Sequence, residues 1–138
     1  RRQGEHRVCI AAAERPSGLR DTIPVGSQLT MRAGSAAQVL LAWEDPERMH
    51  RGLQNAAFSA AALSGIRRRG WAQSIGEREQ GVASVSAPVR SPGGKIIAAV
   101  SVSGPLERLS RQPGRMHAPA VLAAAERLSE SLRRAAAE

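Results

Sequence analysis

The sequence has a single cysteine, Cys9, no tyrosine, one phenylalanine and two tryptophans among 138 residues. One thiol cannot build a disulfide framework, and no Cys/His spacing matches a zinc pattern, so the chain reads as a protein of a reducing compartment with no metal. With Trp43, Phe58 and Trp71 as the whole aromatic complement, there is no platform on which single-stranded nucleic-acid bases could stack. No run approaches the roughly 18 consecutive apolar residues of a membrane span. The opening Arg1-Arg2-Gln3-Gly4 has neither a start methionine nor a signal-peptide hydrophobic region, and the expectation is a cytoplasmic piece of a longer protein without membrane contact. Lysine is almost missing as well: Lys95 stands alone among 20 basic side chains.

What is present is an arginine-borne excess of positive charge, formally +8. A phosphate backbone favours clustered cations through counterion release, but outside Arg1-Arg2, Arg67-Arg68-Arg69 and Arg133-Arg134 the arginines are scattered. The triplet ends a helical pattern, where cations complement the macrodipole, and that reading outweighs a nucleic-acid patch. At 42% hydrophobic and 23% charged residues, the chain is sized for one globular domain that can bury about two-thirds of its unfolded surface.

Residues 6–14 read as a strand with Val8, Ile10 and Ala12 on one side. Pro16, Gly18, Pro24 and Gly26 make turns around two short extended pieces, 19–23 and 28–31. A short buried helix starts near Ser35 and runs to Trp43, and Asp45-Pro46 opens a second that ends near Leu53. A third covers 59–69 with Ala62, Leu63 and Ile66 inward, and Gly70 sits where a left-handed cap would close it. A strand over 71–75 leads into the polar connection 76–81. A helical turn over 105–111 and a long helix over 118–137, with Val121, Leu122, Ala125, Leu128 and Leu132 on one stripe, complete the chain. Glu130 and Arg134 add an i,i+4 pair of favourable polarity. This order predicts a mixed sheet with helices packed on it, an α+β or α/β fold.

The most informative stretch is 82–103, where two β-type runs flank the hairpin signal Ser91-Pro92-Gly93-Gly94. Strand side chains alternate, so parity sorts them. Ala83, Val85, Ala87 and Val89 share a core face with Ile96, Ala98, Val100 and Val102. The opposite face collects Val82, Ser84, Ser86, Ala99, Ser101 and Ser103. Small hydroxyls thus converge on one sheet surface. They either line a ligand pocket or bond the local backbone as small strand residues, and alternation alone favours the second.

Gly70-Trp71-Ala72-Gln73-Ser74, then Glu77, Gly81, Ala87-Pro88-Val89, Gly94 and Ala99-Val100-Ser101-Val102-Ser103-Gly104-Pro105 resemble the C-terminal effector-binding domain of IclR-type transcriptional regulators. Gly26 through Ala42 fits the same family, so the resemblance covers nearly the whole chain and is densest over 70–105. It implies a GAF-like fold, a central antiparallel sheet flanked by helices, whose small-molecule pocket controls a separate winged helix-turn-helix domain. That domain, through which DNA would be bound, lies outside these residues. The resemblance also implies ligand positions: Ser101 and Ser103 ahead of Gly104-Pro105, Ser84 on the partner strand, Ser74 where some members carry an acidic residue, and the backbone amides of Gly34, Ser35 and Ala36 at a helix start that favours an anion, to which the polar face set by parity adds Ser86. The expected effector is a small polar molecule, with a carboxylate as first choice, and the expected assembly is a homodimer or homotetramer. Thr30, Ala37 and Gln38 depart from the proline and Gly-Lys that many members carry there. They keep open the alternative of an oligomerisation module with a degenerate pocket and no effector.

Arg20 and Arg32 are either carboxylate partners or solvated surface residues. Trp71 is either a pocket wall or core, and Cys9 reads as buried filler in preference to a sensor thiol. His6, His50 and His117 sit beside no nucleophile motif, and neither a Gly-x-Ser-x-Gly elbow nor a phosphate loop occurs, so the chain does not read as an enzyme and carries no cofactor motif.

Overall fold

The structure, a computed structural model, describes residues 1–13, 23–109 and 112–137. Three short strands come first, β1 (Arg2–Gln3), β2 (His6–Val8) and β3 (Gln28–Thr30), forming an antiparallel sheet in that order. The strand expected over 6–14 therefore stops at Val8. Cys9 N donates to Ser27 O at 3.0 Å and Gly26 N to Cys9 O at 2.7 Å, so the ladder closes on a turn in which Gly26 adopts φ 93. Ile10, expected on the strand beside Val8, lies past that closure and is 59% exposed. Arg7, of the opposite parity, is the β2 residue that is buried. Of the expected extended pieces, 28–31 appears as β3, whereas residues 19–22 fall outside the described residues.

Three helices follow, α1 (Ser35–Ala42), α2 (Pro46–Leu53) and α3 (Ala60–Arg69), with the ends the sequence announces. The Asp45 carboxylate caps α2 by accepting from Arg48 N at 3.0 Å, and the Ser59 hydroxyl caps α3 by accepting from Ala62 N at 3.2 Å. Gly70 closes α3 at φ 89, its N–H donating to Ile66 O at 2.7 Å. Ser59→Ala should lower stability by about 1 kcal/mol, and Ser59→Gly by only a few tenths. Urea midpoints at constant slope would read this difference; equal losses would show that the cap bond contributes nothing.

The second antiparallel sheet is a meander of β4 (Ala72–Ile75), β5 (Val82–Arg90) and β6 (Ile96–Pro105). A short α4 (Leu106–Leu109) and a long α5 (Pro113–Ala137) complete the fold. α5 begins five residues before the expected start, running through Pro119. A proline inside a helix removes an N–H and crowds the carbonyl one turn back, which is why the pattern reads as a start there. Pro119 lies on the exposed side.

Helices cover both faces of the second sheet. On one, Val85, Ala87 and Val89 pack against Ala118, Val121 and Ala125 of α5, with Trp71, Ala98 and Val100 alongside. On the other, Val39, Leu41 and Ala42 of α1 and Leu63 and Ile66 of α3 pack with Ala72, Ile96 and Ala99. The face assigned to serines is thus half core. Full burial of Leu41, Leu63 and Ile66 contributes on the order of 1.5–3 kcal/mol each before entropy is counted.

Two parity assignments change. Ile96 belongs with α1, not with Ala98, because a bulge at Val89/Arg90 inserts one residue into the ladder: Val89 pairs with Ala98 but Arg90 with Ile96. Val102 is 38% exposed, since α5 reaches its neighbours and not the far end of β6. The buried stripe of α5 is Ala118, Val121, Ala125 and Ser129, while Leu122, Leu128 and Leu132 are exposed at 36%, 50% and 36%. Ser129 is tolerated inside because its hydroxyl accepts from Arg90 N and donates to Ala125 O, both at 2.9 Å. The Glu130–Arg134 pair forms at 3.4 Å, and Arg133 joins Glu130 as well.

Candidate functional site

The site is built where α1 starts over the β4-β5-β6 sheet. Ladder register places Ser74 opposite Ser84, Ser84 opposite Ser103 and Ser86 opposite Ser101. Ser35, the first residue of α1, comes down between the strands. The Ser35 hydroxyl lies 2.6 Å from that of Ser84 and 2.7 Å from that of Ser86. Ser74 reaches Ser84 at 2.8 Å, and Ser86 reaches Ser101 at 2.6 Å. The five side chains form one unbroken sequence, Ser74–Ser84–Ser35–Ser86–Ser101.

The chemistry of such a chain follows from proton counting. Each hydroxyl has one proton and two acceptor lone pairs, so five hydroxyls joined by the four contacts above have one proton left over. The hydroxyl that keeps it is whichever one accepts without donating along the chain, any of the five, and reorienting the bonds moves it from one to another. A polar molecule at the Ser74 or Ser101 end meets a donor or an acceptor as it requires. Burial grades along the chain: Ser86 and Ser35 are closed off at 0% and 1%, Ser74 is buried, Ser84 is half-buried and Ser101 is exposed. Ser103 is half-buried beside Ser84.

The helix start is not vacant. Gly34 N donates to Glu77 Oε1 at 3.0 Å, and the Gln38 amide donates to both Glu77 oxygens at 3.0 and 2.9 Å. A carboxylate from the chain's own 76–81 connection therefore occupies part of the anion position expected of Gly34, Ser35 and Ala36. The physical reason is the helix start itself: a buried N–H at a dipole's positive end needs an acceptor, and Gln38, 97% buried, needs one too. Ala36 is half-buried one residue further along α1.

Two arginines flank this point. A methyl group at Gly34 would lie 2.9 Å from Arg7 Nη2 and 4.0 Å from Arg78 Cβ, and Gly34 itself takes φ 99, so glycine is required there twice over. Arg7 donates to Thr30 O at 2.9 Å and Ala33 O at 3.1 Å, tying β2 to the segment entering α1. Burial, with a smaller contribution from nearby Arg78, pushes the Arg7 guanidinium down to about 10. Next to the helix start opens a cleft of about 620 Å³ lined by Gln38, Phe58, Arg69, Gln73 and Glu77.

Of the residues the sequence singled out, Ser35, Ser74, Ser84, Ser86 and Ser101 meet in one network, and Ser103 adjoins it. Trp71 is not at the site: it packs on the α5 side, with the Arg69 guanidinium 4.4 Å from its ring centre. Arg32 is exposed, and Arg20 lies outside the described residues. Cys9 is half-buried. Arg7 is not anticipated at the site, and Gln38 and Glu77, named only as a departure and as part of the family pattern, are given no contact in it. Nothing local in the sequence pairs the two. Among the described residues no group of three or more His, Cys, Asp or Glu side chains is placed to hold a metal ion, and no helix is long and apolar enough to cross a membrane.

Residues 1–130 match the family model described as the bacterial transcriptional regulator IclR C-terminal domain. The HTH-type transcriptional regulator BhcR of Paracoccus denitrificans is 30% identical over 139 aligned positions, covering 91% of this chain and 50% of that protein. The glycerol operon regulatory protein of Streptomyces griseus is 30% identical over 106 positions, covering 69% of this chain and 42% of that protein. The chain thus spans about half the length of the curated relatives it matches. Among solved structures, the IclR of Thermotoga maritima superposes with a TM-score of 0.84 at 21% identity, over 96% of this chain and 59% of that one. A regulator from Alicyclobacillus acidocaldarius gives 0.83 at 22% identity, over 96% and 58%. These two establish the fold, the GAF-like α+β arrangement of IclR C-terminal domains. Its relatives are transcriptional regulators, and by the match over residues 1–130 the chain belongs to the IclR family of bacterial transcriptional regulators, as a C-terminal domain of that family.

Proposed function

We propose that this domain senses a small polar metabolite at the open, Ser101 end of the serine chain and passes occupancy to a helix-turn-helix DNA-binding domain elsewhere in a cytoplasmic regulator. It carries out no chemistry of its own. The observation that carries the reading is the hydroxyl chain itself: a run of five serines bridging two strands and a helix start, sealed at Ser35 and Ser86 and open at Ser101. A network of this kind presents fixed yet reversible donors and acceptors. A carboxylate is the favoured effector class, because the α1 start, with Arg7 against Gly34, already holds one, that of Glu77. Ser74, Ser84, Ser101 and Ser103 would face it, with the amides of Ser35 and Ala36 beside the position Glu77 holds. Sensing further requires that the ligand prefer one arrangement of protomers, in a homodimer or homotetramer, since equal affinity for both would shift nothing.

The test is thermal unfolding with a panel of keto acids, aliphatic acids, aromatic acids and amino acids, because a ligand bound only by the folded state raises stability by RT ln(1 + [L]/Kd). One chemical class should give a saturable upward shift. In Ser101→Leu the shift should vanish while the ligand-free midpoint stays within a few degrees, as Ser101 is exposed. A full shift in that variant, or none across the panel, overturns the assignment and leaves an oligomerisation module.

A further inference from the structure

None of the five serines of the hydroxyl chain lines the 620 Å³ cleft beside the α1 start, and the polar corner of that cleft holds an unpaired acceptor. Gln38 and Glu77 form the corner. Gln38 is only 3% exposed, so its amide has to find partners inside the protein or at the cleft surface. The amide nitrogen finds them: it donates to the Glu77 oxygens at 3.0 and 2.9 Å and lies 3.5 Å from Gln73 O. Because a carboxylate accepts and does not donate, this contact fixes which end of the amide is nitrogen. The Gln38 oxygen accepts from nothing among the described residues. It is not sealed either, since His117 Nε2 is the one fully buried side-chain nitrogen or oxygen without a partner among them. The oxygen therefore opens onto the cleft that Gln38 lines.

Glu77 lacks a counterpart of another kind. Its partners, the Gly34 N–H and the Gln38 amide, are uncharged, and among the described residues no cationic side chain bonds it. Arg7 donates to Thr30 O and Ala33 O instead. Arg69, on the cleft rim, is held by Trp71, its Nε donating to Trp71 O at 2.9 Å and its guanidinium lying over the ring. The two acceptors are close enough to share one donor. An amide oxygen sits about 2.3 Å from its nitrogen, which puts the Gln38 oxygen within about 5.3 Å of the Glu77 carboxylate. One ammonium, bonding each acceptor at about 2.8 Å, spans up to about 5.6 Å. Beyond this corner the wall is apolar and open to the cleft: Ala57 is exposed, and Phe58 and Ala62 are half-buried.

We infer that this cleft binds a primary amine as its ammonium ion, with N–H groups donating to the Gln38 amide oxygen and a Glu77 oxygen and an apolar body lying against Phe58 and Ala62. An ammonium has three donors and no acceptor, the complement of a corner made of an amide oxygen and a carboxylate. The formal +8 charge of the chain repels cations in general, so attraction of an amine here has to be local. The inference is independent of the serine site, and it gives the domain an input of opposite charge to a carboxylate.

Benzylamine, protonated at neutral pH, is the probe. Benzyl alcohol is its uncharged counterpart, and benzyltrimethylammonium keeps the charge without any N–H. In calorimetric titration of the 138-residue chain, benzylamine should bind saturably and at least tenfold more tightly than either control. Equal binding of the alcohol would overturn the role of charge, equal binding of the quaternary ion would overturn donation to Gln38, and no binding of benzylamine would overturn the site. Glu77→Gln should weaken benzylamine at least tenfold. Gln38→Lys, which brings an ammonium of the chain's own to Glu77, should abolish its binding, with circular dichroism confirming that both variants fold. Binding that survives in either folded variant overturns the assignment, and the probe series, which needs no variant, decides it if both fail to fold. Ser101→Leu should leave benzylamine unchanged. Loss there, with binding intact in Glu77→Gln, would move the amine to the serine chain, and that result leaves the sensing proposal standing while this one falls.

Discussion

Glu77→Ala is expected to lower the stability of the domain by about 2–3 kcal/mol, although Glu77 lies on a connection and not in the core. The loss comes from what the carboxylate leaves behind. Gly34 N–H and the Gln38 amide are both buried, and both lose their acceptor at once. Each unsatisfied buried donor costs roughly 1–3 kcal/mol, softened here because the adjoining 620 Å³ cleft admits water to one side. Glu77→Gln keeps one oxygen and should lose about half as much. Urea unfolding of the two variants would read both effects as midpoint shifts at unchanged slope. A loss under about 0.5 kcal/mol for alanine would show that water replaces the carboxylate without penalty, and that the helix start is open to an incoming anion after all.

The second large effect comes from one added methyl. Gly114→Ala places a carbon 2.2 Å from Trp71 Cζ3, 2.5 Å from Cη2 and 2.8 Å from Gln73 Oε1. Helix propensity argues the other way, since alanine in a helix is favoured over glycine by about 1 kcal/mol. Overpacking wins because the ring can shift only by giving up its contacts: Arg69 lies over one face, and the α5 and β5 side chains pack against it. The same methyl displaces the Gly114 N–H that donates to Gln73 Oε1 at 2.9 Å. The net expectation is a loss of about 3 kcal/mol, at the upper end of overpacking costs. Trp71→Leu alone is also destabilising, yet combined with Gly114→Ala the losses should fall short of their sum, because the smaller side chain vacates the space the methyl enters. Additive losses would mean that the two residues are not in contact.

The sequence reveals this fold wherever a local rule decides the outcome. Asp45-Pro46, Ser59 and Gly70 mark helix ends because capping is a matter of a few adjacent atoms, and all three act as expected. The serine convergence was legible because alternation along β5 and β6 is local and the hairpin sets the register. What escaped depended on distant partners. Arg7 is buried because carbonyls more than twenty residues away accept from it, and nothing near position 7 announces them. The stripe of α5 turned toward Ser129 because Arg90 offers it a backbone donor from β5. The inward turn of Glu77 is hidden by its polar neighbours in 76–81, because its partners Gly34 and Gln38 lie about forty residues away.

The bulge at Val89/Arg90 has a consequence for how this domain can vary. Below it, the β5-β6 pairing that aligns the serines is regular, and the only slip in register lies on the hairpin-tip side. The tip is therefore out of phase with the site. A residue gained or lost in the 91–95 turn can be absorbed by moving or erasing the bulge, with Ile96 and Ile97 exchanging places, while Ser84, Ser86, Ser101 and Ser103 stay in step. The irregular stretch works as a slack coupling that lets the outer turn drift under selection without detuning the hydroxyls beneath α1.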